Sequence, residues 1–335
     1  MESILLLAHI EADGRLAKPA LEALTTALAL GGELTVGLVG AAAQAAADQI
    51  AGAGAARTLA VTGDAFAQPR YATDAAAAEA LCRAAGATLV LAPSTSRWSR
   101  ALPGVAYRLG GRVDTHATSL AVQNGAPAVT RWFYRQRMEA VLTRQQRPWV
   151  VLLEAGCVPA WSGAAGSATV ETIAVEMPQP RTEVTGIQAP KADEQTIRPD
   201  AKLLFVAGAG WTKKQGDGKV HGAEAETLIL NFLRSAKASL GGSKSLVDLS
   251  GEGEAVLQFM THMNQIGQTG ATPRHPKGLS TCCHGEEPHV VGWRFITERR
   301  AINLDPNCGW ARGKADVLYV ADAFEVMREV NRMLG

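Results

Sequence analysis

The runs Ile4-Leu-Leu-Leu-Ala8, Leu34-Thr-Val-Gly-Leu-Val39, Thr58-Leu-Ala-Val61 and Leu89-Val-Leu-Ala92 decide the fold of the first half of the chain. Each is of strand length and nearly all apolar. A strand with one wet face alternates polar and apolar residues, whereas a parallel strand covered on both faces does not. Between and after them lie the helix-length stretches Lys18–Leu30, Ala41–Ala51, Tyr71–Ala84 and Arg97–Leu109, most of them rich in alanine. Alanine is the best helix former and permits close packing on a sheet. The alternation predicts a parallel sheet with helices on both faces. Beyond about Asp114 the runs Ala128–Tyr134, Met138–Thr143 and Trp149–Leu153 crowd β-branched and aromatic residues at short intervals. They predict an antiparallel extension of the same domain.

Between Glu176 and Asp200 the chain places Pro178, Pro180, Pro190 and Pro199 among many charges, a composition that cannot sustain a core. A fresh apolar run, Lys202–Ala207, follows it, and then a helix candidate at Glu224–Leu240. The expected organisation is an N-terminal α/β scaffold domain over 1–175, a linker over 176–200 and a C-terminal doubly wound α/β domain over 201–335. A length of 335 residues suits two domains, and 47% hydrophobic against 19% charged residues marks a globular chain without a membrane-length apolar run. The 33 Lys and Arg nearly balance the 32 Asp and Glu, which leaves no general attraction for nucleic acid. Glu2, His9, Glu11 and Asp13 spoil a secretory pattern and predict a cytoplasmic protein. The 5 cysteines include no CxxC, so neither a disulfide framework nor a zinc ribbon is indicated.

The chemistry-bearing loops fall in the second half. Val206-Ala-Gly-Ala-Gly-Trp211 has two of the glycines of a nucleotide loop but not the third. Ser243-Lys244 precedes a strand candidate, Leu246–Leu249. Gly267-Gln-Thr-Gly270 follows a helix candidate, and Gly285-Glu-Glu-Pro-His289 follows the apolar run Leu279–Cys283. In a doubly wound sheet nucleotides bind outside the carboxyl ends of the strands. Reduction of a flavin also calls for groups that stabilise negative charge, and Lys244 and His289 fit that need.

In their order and spacing, Ser243-Lys244, Gly267-Gln268-Thr269-Gly270, Gly285 to His289, Asn303-Leu304-Asp305-Pro306, Ala315-Asp316 and Ala321-Asp322 resemble the FAD domain of the electron-transferring flavoprotein alpha subunits. The resemblance extends over the whole chain, the first part looking like that family's scaffold domain. It implies an electron carrier without substrate turnover of its own. Such a carrier binds FAD, pairs with a beta subunit, accepts electrons from a flavin-dependent dehydrogenase and passes them to a membrane quinone reductase or another acceptor. It further implies that Gln268 and Thr269, in the loop Ile266–Gly270, contact the isoalloxazine ring, with His289 at its N1/O2 edge. The backbone of His284, Gly285, Glu286, Glu287 and Pro288 would cradle the pyrophosphate, and Ser243 would bond a phosphate or ring oxygen. Asn303 and Asp322, with Ala323 beside it, would hold the adenosine end. Ala209 and Lys244 stand where the family commonly has arginine, and His284 where serine is expected. The stretch Ser250–Gln265 is longer than its counterpart. At 244 a planar fork becomes a point charge, which keeps the charge but loses stacking.

Other readings compete. A pyridine-nucleotide or FAD-dependent oxidoreductase with its own substrate would show a complete GxGxxG and a proton-relay pair. A cofactor-free scaffold subunit would tolerate Ala209 and Lys244. Cys282 and Cys283 read as packing residues, with a redox role, or a metal site shared with Cys308 and His284, as the minority alternatives. Lys213, Lys214, Lys219 and His221 form a basic loop, either a solvated face or a phosphate or docking site. The patch Arg131–Arg137 reads either as a partner-facing strand or as ordinary sheet packing.

Overall fold

The computed structural model describes residues 2–133, 138–177, 179, 181–186, 197–198, 200–248, 257–267, 271, 273–281, 295–308 and 315–335, and of Lys244 and Asp248 the backbone alone. The chain forms two compact units, Met1–Ile187 and Gln188–Gly335.

The first unit runs β1 (Ser3–His9), α1 (Lys18–Ala29), β2 (Glu33–Gly40), α2 (Gln44–Gln49), β3 (Arg57–Thr62), α3 (Asp64–Ala67), α4 (Tyr71–Ala85), β4 (Leu89–Pro93), α5 (Ser96–Arg108), β5 (Arg112–Gln123), β6 (Ala126–Phe133), β7 (Met138–Leu142), β8 (Trp149–Leu153) and β9 (Glu171–Thr172). Its sheet is ordered β7-β6-β5-β8-β4-β1-β2-β3-β9. Ile4, Leu6 and Ala8 pack to one face with α1, and Leu5 and Leu7 to the other with α4 and α5. Both faces are therefore covered, the physical reason the strands read as unbroken apolar runs. In the turn after α2, Gly52 has no room for a side chain, since a Cβ there would come within 2.4 Å of the Ala164 carbonyl oxygen. The close approach lets the chain after β8 run back across the helices and add β9 to the far edge, beside β3.

One expectation fails here. Trp149–Leu153 is not part of the antiparallel extension: β8 pairs in parallel with both β4 and β5. All five of its residues are buried, so nothing along it alternates. Antiparallel pairing is confined to β5–β6 and β6–β7 among the described strands. The helix expected over Ala41–Ala51 is also shorter, with α2 giving way to a 3-10 turn at Ala51–Ala53. In the Arg131–Arg137 patch, Arg131 turns inward, over the Phe133 ring at 4.5 Å and towards Asp114 at 3.5 Å. Residues 134–137 lie outside the described residues.

Asp114 ties β5 to β8 and to the loop before it. It is 2% exposed and accepts hydrogen bonds from Trp149 Nε1 at 2.9 Å and from Arg144 Nη2 at 2.9 Å and Nε. Burial pushes its carboxyl up, but the bonds from Arg144 and Trp149 and the charges of Arg144 and Arg131 outweigh this and hold it below its ordinary value. A lowered folded-state pKa contributes stability above the unfolded value, about 3.9, that is lost as the pH falls through the folded value. Asp114→Asn is therefore expected to lower the urea midpoint most at neutral pH, with the difference from the native protein narrowing below about pH 4. A difference that stays constant from pH 7 to pH 3 would show that the carboxylate charge is not what matters.

The second unit runs β10 (Leu203–Ala207), α6 (Gly222–Ala236), β11 (Ser239–Gly242), α7 (Lys244–Asp248), β12 (Lys277–Thr281), β13 (Glu298–Asn303), β14 (Val317–Val320) and α8 (Ala323–Leu334). All pairings in its sheet, ordered β11-β10-β12-β13-β14, are parallel. Phe205 and Ala207 face a core shared with α6 and α8, while Leu204 and Val206 face Ile266, Ile296 and Cys308. Three expected elements differ. Leu246–Leu249 was expected as a strand, but Leu246 to Asp248 lie in α7, with Leu249 outside the described residues. The helix expected to reach Leu240 ends at Ala236, because Lys237 adopts a left-handed φ of 49° and redirects the chain into β11. A 3-10 turn, His262–Asn264, occupies the place of the helix expected before Gly267.

Candidate functional site

Because the second sheet is wholly parallel, its strands end on one edge. In register, Ala207 stands beside Gly242 and Thr281, Thr281 beside Ile302, and Asn303 beside Val320. Outside β11 a parallel bridge joins Gln265 to Gly242, and the Ile266 N–H donates to the Gly242 carbonyl at 3.1 Å. Counting that segment, the order in space is third, second, first, fourth, fifth, sixth. Connections leave in opposite directions on either side of β10 and β12, which makes a topological switch point with a crevice outside it.

The predicted residues that are described gather on this edge. Ser243 follows β11, is fully buried, and accepts a hydrogen bond from the Leu246 N–H at 3.0 Å, capping α7. Lys244 is the first residue of that helix. Ile266, fully buried, and Gly267 extend past the end of β11, and Gly267 holds a φ of 116° that a side chain would strain. Asn303 closes β13 and accepts from the Asp305 N–H at 2.9 Å. Asp322 caps α8 by accepting from the Glu325 N–H at 3.0 Å, and Ala323, buried, begins that helix. Gln268, Thr269 and Gly270, and His284, Gly285, Glu286, Glu287, Pro288 and His289, lie outside the described residues, as do Cys282 and Cys283.

Trp211 is a member of this edge that motif reading missed. The turn after β10 brings its ring, fully buried, over the sheet end, where Nε1 donates to Thr281 Oγ1 at 2.8 Å. Its other side meets Phe324 of α8 at 4.6 Å between centroids. The Gly208 N–H donates to the Thr281 carbonyl at 2.8 Å, so β10, β12 and α8 are locked together at the switch point. A tryptophan directly after a glycine turn, with a threonine closing the next strand, was the available signal.

Among the described residues no group of His, Cys, Asp and Glu could hold a metal ion. A concavity of about 180 Å³ lined by Glu2, Gly31, Leu89 and Pro127 lies in the first unit, at the amino ends of its strands. It gathers no redox-active or phosphate-binding group. Among the described residues no helix is long and apolar enough to cross a membrane.

The family model of the electron transfer flavoprotein domain matches residues 4–178. No curated relative matches the chain. The matched stretch spans the first sheet from β1 to β9 and more than half of the 335 residues, and the chain thus belongs to the electron transfer flavoprotein family, whose members carry electrons rather than turn over a substrate.

Proposed function

We propose that this chain is an alpha-type subunit that holds FAD in its second unit, pairs with a beta-type subunit, and relays electrons in the cytoplasm from a flavin-dependent dehydrogenase to a membrane quinone reductase or another acceptor. The observation that carries this reading is the convergence of Ser243, Gly267, Asn303 and Asp322, remote from one another in sequence, on the carboxyl edge of one parallel sheet around a switch point. The donor set on that edge fits a dinucleotide. The Asn303 amide and the Asp322 carboxylate suit ribose hydroxyls. When bound, FAD supplies the redox chemistry. The chain's own part is to orient and charge-balance it: Gln268, Thr269 and His289 towards the ring, Lys244 as a nearby cation, residues 284–288 towards the diphosphate, and Ser243 by fixing the loop that carries Lys244.

The visible absorption spectrum of the chain purified together with its partner subunit tests this. Flavin bands with one FAD per heterodimer are expected. A colourless complex that takes up no FAD would favour the cofactor-free scaffold instead, and a monomeric chain with stoichiometric FAD would remove the need for a partner.

A further inference from the structure

In a doubly wound fold the first strand usually turns directly into its helix, whose amino terminus faces the phosphates. Here residues 208–221 intervene between β10 and α6, and the amino terminus of α6 already has a carboxylate, Glu224, in its first turn, paired with Arg328 at 2.6 Å. The intervening chain is not a loose loop. After the 3-10 turn Ala209–Thr212, Lys214 and Val220 bridge as antiparallel neighbours, and the Gln215 N–H donates to the Lys219 carbonyl at 2.8 Å. Gly218, at a φ of 78°, allows the tight return. The Gln215 amide fastens this hairpin to the glycine turn by donating to the Gly210 carbonyl at 3.0 Å and the Lys213 carbonyl at 2.7 Å.

The hairpin's acid is occupied within it. Asp217 accepts from the Lys219 N–H at 2.9 Å and faces His221 Nε2 at 2.9 Å, and His221 in turn stands edge-on to Phe324. Lys213, Lys214 and Lys219 are left exposed, and no ion pair engages them among the described residues. Ammonium groups collected on a fastened scaffold beside a switch point repel one another, and an anion between them relieves that repulsion.

We infer that the hairpin 213–221 is an anion clamp, its lysines recognising the diphosphate of the dinucleotide held by this unit and supplying as side-chain charge what the amino terminus of α6 does not. The inference rests on the reading that the second unit binds FAD. It adds a side-chain contribution to the backbone cradle proposed for 284–288. Lysine suits the task because it binds phosphate as a point charge without the fixed fork geometry of arginine.

The test uses the chain with its partner subunit, stripped of flavin, and measures dissociation constants for FAD and for riboflavin, which has no phosphate, across a range of salt concentrations. For the variant carrying Lys213→Gln, Lys214→Gln and Lys219→Gln, FAD affinity is expected to fall about tenfold or more, with a flatter salt dependence, because screened charge attraction is what has been removed. Riboflavin affinity should not move, and the corresponding triple Lys→Arg variant should retain FAD. If the unaltered complex binds no FAD, the underlying reading fails and takes the clamp with it. If the unaltered complex binds FAD and the glutamine variant binds it equally well with the same salt slope, the clamp alone is overturned. Slower electron exchange with a protein partner in that second case would assign the lysines to protein docking instead.

Discussion

Arg97→Ala is expected to destabilise the first unit by about 3–5 kcal/mol, the range found when one member of a buried ion pair is removed. Asp74 is fully buried on α4, and Arg97, on α5, is 5% exposed. The guanidinium donates to Asp74 Oδ1 from Nη2 at 2.7 Å and from Nε at 2.9 Å, and Nη2 also donates to the Phe66 carbonyl at 2.6 Å. Asp74 Oδ2 accepts from the Arg70 N–H at 3.1 Å. One guanidinium thus closes α3, α4 and α5 over the same face of the sheet. Alanine at 97 would leave a carboxylate and a carbonyl without the donor that neutralises them, and water is excluded from the site. Arg100 does not replace it, since its Nη2 lies 3.9 Å from Asp74 and its side chain is half exposed. The double variant Arg97→Met with Asp74→Leu is expected to recover most of the loss, because apolar groups of similar volume avoid the desolvation penalty. Urea unfolding followed by circular dichroism decides the matter, with the transition of the first unit treated separately, since two units need not unfold together. A single variant within about 1 kcal/mol of the native protein would mean that the site admits water and the pair is not the closure described.

The alternation of apolar runs and alanine-rich stretches made the first sheet legible, since burial on both faces writes itself directly into composition. Orientation was not legible in the same way. Trp149–Leu153 reads alike whether parallel or antiparallel, and its pairing is set by β4 and β5, remote in the chain, with Asp114 pinning Trp149 from the neighbouring strand. In the second unit, Leu246 and Val247 are apolar neighbours that suit a strand by propensity. What makes them helical is the cap from Ser243, whose hydroxyl takes the Leu246 N–H, together with the burial of both residues. The site was legible only in part: Ser243 was read as leading into a strand, whereas it follows β11 and leads into α7, and Asn303 and Asp322 entered through the family resemblance, with no strand pattern to place them. The glycine turn after β10 carried no full fingerprint, and its substance lay in Trp211, which motif templates do not weigh.

That tryptophan carries the remaining large effect. Trp211→Ala is expected to destabilise the second unit by about 3–5 kcal/mol, the usual consequence of truncating a fully buried aromatic. On the proposed reading it should also abolish FAD retention. The two losses have one cause. The Trp211 ring fills the space between the ends of β10 and β12 and the first turn of α8, and with it gone Phe324 loses its ring partner and Thr281 the indole N–H. The Trp211 N–H also donates to the Gly208 carbonyl at 3.3 Å, so the turn itself is fastened by the same residue. Trp211→Phe separates packing from hydrogen bonding: it keeps an aromatic ring against Phe324 but removes the bond to Thr281. Losing that bond should cost about 1 kcal/mol, with smaller packing losses added. FAD affinity should then fall far less than in the alanine variant, because the edge keeps its shape. The measurements are the urea midpoint of the second unit and the dissociation constant for FAD in complex with the partner subunit. An alanine variant that unfolds earlier yet binds FAD with unchanged affinity would show that Trp211 supports the core without shaping the edge. The cofactor would then have to be held by loops that do not depend on the switch point.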